Sequence, residues 1–181
     1  MTEAVGILEL QGIGPGYLAA HWIDKHTAIA MIFTGTICPG HFLIMFAGTV
    51  ADVAWAQEQA AGLTESAVIS QGLLTNIHPE VLPAVQNLQK KQPQGALGVF
   101  EVLGAASAVV AADSMVKGAA VELFDIRFAG GMGGKAVILC QGKVEAVEAA
   151  LEQAARVVDV KSLVGTAVLA SPHPELLSHW Q

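Results

Sequence analysis

The 181-residue sequence predicts an α/β (α+β) chain made of two tandem copies of one small domain. Three observations predict this fold class. Segments of the first half recur in the second half, each half alternates short apolar strands with Ala-rich helical segments, and a polar stretch lies between the halves. With 53% hydrophobic and 14% charged residues, the chain is too apolar to be disordered. Because domains of about 90 residues have little interior, this much apolar surface also suggests burial between subunits.

The duplication consists of matching segments that keep their order along the chain. Residues 4–9 (AVGILE) match 96–101 (ALGVFE), residues 58–61 match 152–155 (both EQAA), and residues 78–80 match 173–175 (both HPE). The stretch 86–95 (QNLQKKQPQG) is the most polar part of the chain and is typical of a linker. We therefore predict a first domain at 3–85, a linker at 86–95 and a second domain at 96–180.

Each half shows the same order of elements. The predicted strands are 5–10, 28–36, 42–47 and 67–74 in the first half, and 97–103, 121–128, 136–141 and 163–169 in the second. Pro15 lies near the start of the first helix, and Thr49 with Asp52 resembles a capping box before the second helix. A short Pro-led helix closes each half. The order β-α-β-β-α-β is the split βαβ, ferredoxin-like plan.

Charge, hydropathy and cysteine content exclude several classes of protein. The formal net charge is −7 and Lys90-Lys91 is the only pair of cationic residues, so we expect no nucleic-acid partner. No apolar run approaches the roughly 18 residues of a membrane helix, and residues 1–4 lack the basic start of a signal peptide. Cys38 and Cys140 are too few for a disulfide framework, which favours a cytoplasmic protein with reduced thiols.

Several segments carry a resemblance to a known family. Residues 95–101 (GALGVFE), 111–122 (AADSMVKGAAVE) and 142–150 (GKVEAVEAA) resemble the bacterial microcompartment shell domain, and the more divergent first half keeps residues 6–9 (GILE) and Lys25. The resemblance covers nearly the whole chain except the linker. It implies a non-enzymatic, tandem-domain shell protein of a cytoplasmic microcompartment. Three copies would form a pseudohexameric homotrimer that meets other shell proteins edge to edge.

Shorter segments resemble one type within this family. Residues 36–40 (TICPG) and 76–83 (NIHPEVLP), with weaker support from 130–135 (GGMGGK), resemble the propanediol-utilisation type that carries an iron-sulfur centre. The resemblance places the loops 36–41 and 130–135 at the centre of the tile, around its pore. The residues that it implies as pore-lining are Thr36, Ile37, Cys38, Pro39, Gly40, His41, Gly131, Met132, Gly133 and Gly134.

Cys38 is the candidate metal ligand. Pro39 favours an extended conformation at Cys38 and Gly40 permits a tight reversal, so we expect the thiol at a loop tip. One cysteine cannot supply the four thiolates of a cluster, but three copies around an axis supply three. The resemblance implies one 4Fe-4S cluster per trimer with an exogenous fourth ligand, passing electrons across the shell to a lumenal redox enzyme. Three-sulfur zinc, a merely structural turn cysteine and a cluster-free metabolite pore are alternative interpretations.

Other polar residues have expected roles outside catalysis. Lys25 and Lys117 align, and the resemblance places them at the tile edge, with Asp113 spaced to pair with Lys117. Glu9 and Glu101 align in the first strand of each copy, which favours a hydrogen-bonded structural role over a catalytic one. We expect His41 to belong to a polar pore rim or to contact the Cys38 centre from its outer shell. We expect structural roles for His78 and His173 and a core position for Cys140.

Overall fold

The computed structural model describes residues 3–86, 94–128, 133–173 and 175 of the chain. The first copy contains β1 (Ala4–Gln11), α1 (Ile13–His26), β2 (Ala30–Ile37), β3 (His41–Gly48), α2 (Val50–Leu63), β4 (Val68–Thr75) and α3 (Val81–Val85). The second contains β5 (Ala96–Leu103), α4 (Ala105–Gly118), β6 (Val121–Phe128), β7 (Lys135–Gly142), α5 (Val144–Val157) and β8 (Leu163–Leu169). The predicted β-α-β-β-α-β plan is confirmed in both copies.

The two sheets have the same topology. Their strand orders are β2-β3-β1-β4 and β6-β7-β5-β8. β1 runs antiparallel to β4, and β5 runs antiparallel to β8. The register shifts between Glu9 and Leu10 in one pair and between Glu101 and Val102 in the other, which are equivalent positions. The duplication therefore extends to the irregularities of the strands.

Helices cover one face of each sheet at close range. A Cβ atom on Gly16 of α1 would lie 2.1 Å from Cγ of Phe42 in β3, so only glycine lets this helix approach the strand. A Cβ atom on Gly98 of β5 would lie 2.7 Å from Sγ of Cys140 and from Cγ1 of Val147. Cys140 is fully buried, which confirms its predicted core position.

Local signals set where several elements begin. The Thr49 hydroxyl accepts a hydrogen bond from the Asp52 amide at 3.2 Å and donates one to the Asp52 carboxylate at 2.7 Å, so the predicted cap of α2 is confirmed. β4 begins at Val68 because a short 3₁₀ turn occupies Glu65–Ala67.

Parts of the predicted linker and of the last Pro-led helix lie outside the described residues. These parts are residues 87–93, 174 and 176–181. The described chain forms two compact units. The first contains 3–77, 104–106 and the described part of 128–135; the second contains the described parts of 78–103, 107–127 and 136–175. Among the described residues, no helix is long and apolar enough to span a membrane.

Candidate functional site

The β2–β3 turn carries the candidate ligand and is shorter than the sequence predicts. Thr36 pairs with Phe42 and Ile37 with His41, so only residues 38–40 form the turn. The predicted pore loop 36–41 is too long by three residues: Thr36 ends the predicted strand, and the pairing of β2 with β3 extends one residue further on each side, to Ile37 and His41. The Gly40 amide donates to the Ile37 carbonyl at 3.0 Å, and Gly40 adopts a φ of 96°.

Cys38 is accessible within this turn. Its thiol is free and the residue is exposed, and the peptide bond to Pro39 is cis. Among the described residues, no heavy atom lies within 4 Å of a Cβ atom added to Gly40, so this part of the structure leaves the tip of the turn open. The predicted position of the thiol at a loop tip is confirmed.

The equivalent β6–β7 turn approaches the first one. Gly133 and Gly134 adopt φ values of 64° and 84° before β7 begins, whereas the predicted pore residues Gly131 and Met132 lie outside the described residues. A Cβ atom on Gly134 would lie 3.5 Å from Cδ of Pro39. Both turns belong to the first compact unit, so equivalent turns of the two copies lie side by side within one chain.

Glu9 organises a buried polar cluster near the first turn. Its side chain is 1% exposed, and Oε1 lies 2.9 Å from Nδ1 of His41. Oε2 accepts hydrogen bonds from the Ser70 hydroxyl and from the Ala105 amide, both at 3.0 Å. The structural role predicted for Glu9 is confirmed. His41 uses Nδ1 on Glu9, which leaves Nε2 for any contact with a centre at Cys38.

A second polar cluster joins α4 to the segment before α3. Asp113 accepts from Nζ of Lys117 at 2.6 Å, as its spacing predicts, and from the His78 amide at 2.8 Å. The His78 ring in turn accepts from the Glu80 amide at 3.3 Å, which confirms a structural role for His78. Sequence reasoning missed the bond between Asp113 and His78, because no local pattern relates residues so far apart. Lys25, the counterpart of Lys117, is exposed in the last turn of α1.

No metal site is complete in the described part of a single chain, where no three His, Cys, Asp or Glu side chains come together. Cys38 brings one thiol, and a thiolate is the donor that iron-sulfur clusters require. The turn can therefore take part in a cluster only if further copies bring their own thiols to the same point.

Comparison with known proteins defines the class. The BMC domain family model matches residues 4–77 and 96–172, and the chain belongs to this family. It is a tandem-domain shell protein of bacterial microcompartments, a structural component of the shell and not an enzyme.

The chain is similar over nearly its whole length to two known proteins. It is 34% identical over 177 residues to the bacterial microcompartment shell protein PduT of Citrobacter freundii, covering 97% of this chain and 96% of that protein. A solved structure of a microcompartment protein from Desulfitobacterium hafniense DCB superposes with a TM-score of 0.90 at 30% identity, covering 98% and 99% of the two chains. The carboxysome shell protein CsoS1A of Hydrogenovibrio crunogenus is 40% identical over 85 residues, 45% of this chain and 84% of that protein.

Proposed function

We propose that three copies of this shell protein close into a pseudohexameric tile, with Cys38 of each copy at the central axis. The observation that carries the proposal is the proximity of the two equivalent turns, where a Cβ atom added to Gly134 would lie at an ordinary van der Waals distance from Cδ of Pro39. Within one chain, the turns of the two copies lie together. If the same arrangement is repeated from each chain to the next, three chains close a ring and gather six turns around one point.

At that point three Cys38 thiols would hold one 4Fe-4S cluster, with a fourth iron ligand from outside the chain. The donor set fits this group, because Cys38 is an exposed free thiol at an open turn. Gly133 and Gly134 in the neighbouring turn leave room beside it, since they carry no side chain. When bound, the cluster would supply one-electron transfer across the shell to a lumenal redox enzyme.

The outer edge of the tile would meet other shell proteins through Lys25 and Lys117. Both lysines lie near the C-terminal ends of equivalent helices, α1 and α4. The hydrogen bond that Lys117 donates to Asp113 holds the lysine side chain in one orientation, which favours a defined contact over a freely moving surface charge.

Anaerobic purification followed by iron, sulfide and zinc analysis tests the cluster. We expect roughly four iron and four sulfide per three chains, with visible absorbance near about 400 nm. Cys38→Ser should abolish both while the mass in solution stays that of a trimer. Cys140→Ala is the matched control and should keep the iron, because Cys140 is buried in the core.

The alternative function is a cluster-free trimer whose pore conducts a small metabolite. Reconstituted wild-type trimer that binds no iron would contradict the electron-transfer proposal. Metabolite binding that Cys38→Ser leaves unchanged, in that same iron-free protein, would support the conduit. Zinc at one ion per trimer, lost in Cys38→Ser, would replace the cluster by a three-sulfur zinc site.

A further inference from the structure

A groove lies between α2 and β4, the strand at one edge of the first sheet. Its volume is about 290 Å³, at the lower end of the range of about 300–1,000 Å³ that small-molecule sites occupy. The residues that line it are Ala54, Gln57, Glu58, Ala61, Gln71 and Leu73. All of them belong to the first compact unit, so the groove needs neither a trimer nor a cluster to exist.

The second copy has the same groove, between α5 and β8. Its volume is about 510 Å³, and the residues that line it are Glu148, Leu151, Glu152, Ala155, Leu163, Thr166 and Val168. β4 pairs with β1 in the same register as β8 pairs with β5. Residues 58–61 match 152–155, so Gln57 in the first groove corresponds to Leu151 in the second.

Gln57 puts a buried polar group where the second copy has an apolar one. Gln57 is 9% exposed and Leu151 is 6% exposed. Within the described part of the chain, Oε1 of Gln57 is the one buried side-chain polar atom that has no hydrogen-bond partner. An unpaired buried acceptor costs free energy that leucine at the same position avoids. An unsatisfied amide at a groove therefore points to a ligand that brings a donor.

The charge around the first groove favours a cationic ligand. Glu58 is exposed, and no cationic side chain is among the described residues that line the groove. In the second copy the equivalent Glu152 lies 3.5 Å from Arg156, whereas Gly62 occupies the position of that arginine in the first copy. Residues 26–89 contain no lysine or arginine. The Glu58 carboxylate can therefore pair with a cation from outside the chain.

We propose that this groove binds the primary ammonium group of a small aliphatic amine. An ammonium carries three N–H donors, which match the amide oxygen of Gln57, the Glu58 carboxylate and the amide oxygen of Gln71. The aliphatic stem of the amine would pack on Leu73, which is 42% exposed in the chain. Oε1 of Gln57 is covered in the free chain, and the broad terminal torsion of glutamine lets the amide turn towards the groove as the ammonium enters.

A titration of the full-length protein followed by ligand-observed NMR tests the site. The probe is n-butylammonium, because an aliphatic amine is protonated at pH 7 as lysine is. We expect saturable binding, and we expect n-butanol, which has the same stem without the charge, to bind at least about tenfold more weakly. Nα-acetyl-lysine methylamide presents the same ammonium from a peptide. Tighter binding of this probe would assign the site to a lysine of a partner protein, and weaker binding would assign it to a free amine.

Gln57→Leu introduces the residue that the second copy has at this position. It should weaken the binding of n-butylammonium at least about tenfold, and it should raise the melting temperature because the unpaired acceptor is gone. Gln59→Leu is the matched control, since Gln59 is exposed on the same helix, and it should leave both measurements nearly unchanged. A glutamine with a merely structural role would instead lower the melting temperature when it is replaced.

Glu58→Gln removes the charge at the groove and keeps the shape of the side chain. It should weaken the binding of n-butylammonium several-fold without changing the binding of n-butanol. Added salt should weaken the binding of the amine to wild type more than its binding to Glu58→Gln. Glu65→Gln makes the same change in net charge at an exposed residue outside the groove, and it should bind as wild type does.

Several results would overturn the inference. Absence of saturable binding of n-butylammonium to wild type overturns it, as does binding that Gln57→Leu leaves unchanged. A lowered melting temperature of Gln57→Leu overturns it as well. Equal affinities for n-butylammonium and n-butanol overturn the choice of a cation. All of these results are separate from the test of the trimer and the cluster, which depend on Cys38 and not on the groove.

Discussion

Oε1 of Glu9 lies 2.9 Å from Nδ1 of His41, on one face of the first sheet. Glu9 pairs with Leu43 and Gln11 pairs with His41, so Glu9 and His41 are diagonal neighbours across β1 and β3. The other carboxylate oxygen of Glu9 accepts from Ser70 and from the Ala105 amide. A buried carboxylate is tolerated here because three donors compensate for its lost hydration.

Removing this carboxylate should destabilise the chain strongly. Glu9→Ala leaves the Ala105 amide and the Ser70 hydroxyl without their acceptor, and we expect a loss of about 3 kcal/mol in the free energy of unfolding. Glu152→Ala is the matched control: its carboxylate lies 3.5 Å from Arg156 on the exposed face of α5, and we expect a change below about 0.5 kcal/mol. Urea unfolding measures both, and similar midpoints for the two variants would contradict the central role of Glu9.

Two glycines of α1 should respond in opposite directions to the same substitution. Gly16→Ala places a Cβ atom 2.1 Å from Phe42, and we expect a loss of about 2 kcal/mol or more from overpacking. Gly14→Ala enters open space in the same helix and should be neutral or stabilising by up to about 1 kcal/mol, because alanine favours the helix. Thermal unfolding of the pair distinguishes close packing from helix propensity. Equal effects would mean that α1 does not lie on β3 as described.

Cys140 should make the stability of the fold depend on alkaline pH. Burial raises the pKa of its thiol from 9.0 to about 11. Between these values the unfolded chain loses the proton that the folded chain keeps, so stability is fully present below pH 9 and falls as the pH rises towards 11. This rise in the pKa corresponds to about 2–3 kcal/mol at most in the free energy of unfolding.

The measurement is urea unfolding at pH 8 and pH 10.5 for wild type and Cys140→Ala. The variant loses packing at both pH values, but its stability should fall less with pH than that of wild type, since it has no thiol to titrate. All other residues are the same in the two proteins, so their contributions cancel in the difference. Identical pH dependence in the two proteins would contradict the raised pKa.

The proposed tile edge predicts a defect in assembly without a defect in folding. Lys25→Ala with Lys117→Ala should leave trimers intact but abolish extended sheets seen by electron microscopy. The Lys117 side chain is 38% exposed, so we expect its loss to cost the fold no more than about 1 kcal/mol. Lys161→Ala, an exposed lysine in the turn before β8, is the control and should still form sheets. Loss of sheets in the control as well would point to net charge rather than to an edge contact.

The sequence alone determined the duplicated fold. Apolar spacing and matched segments can be recognised from the sequence without knowledge of tertiary contacts. All eight strands and both long helices of each copy were therefore predictable, and the predicted strand 163–169 begins and ends where β8 does. Strand ends were predicted less well, because pairing such as that of Ile37 with His41 depends on the partner strand and not on the hydropathy of the residue.

The residues of the candidate site were predictable from the sequence, but the residues that they contact were not. The Cys38-Pro39-Gly40 motif indicated an exposed thiol on a turn, and the glutamate repeated at 9 and 101 indicated a structural carboxylate. Only the tertiary structure decided that Glu9 meets His41 and Ala105, and that Gly134 lies beside Pro39. Local sequence encodes periodicity and turn chemistry, whereas contacts between distant residues arise when the packed sheets and helices bring them together.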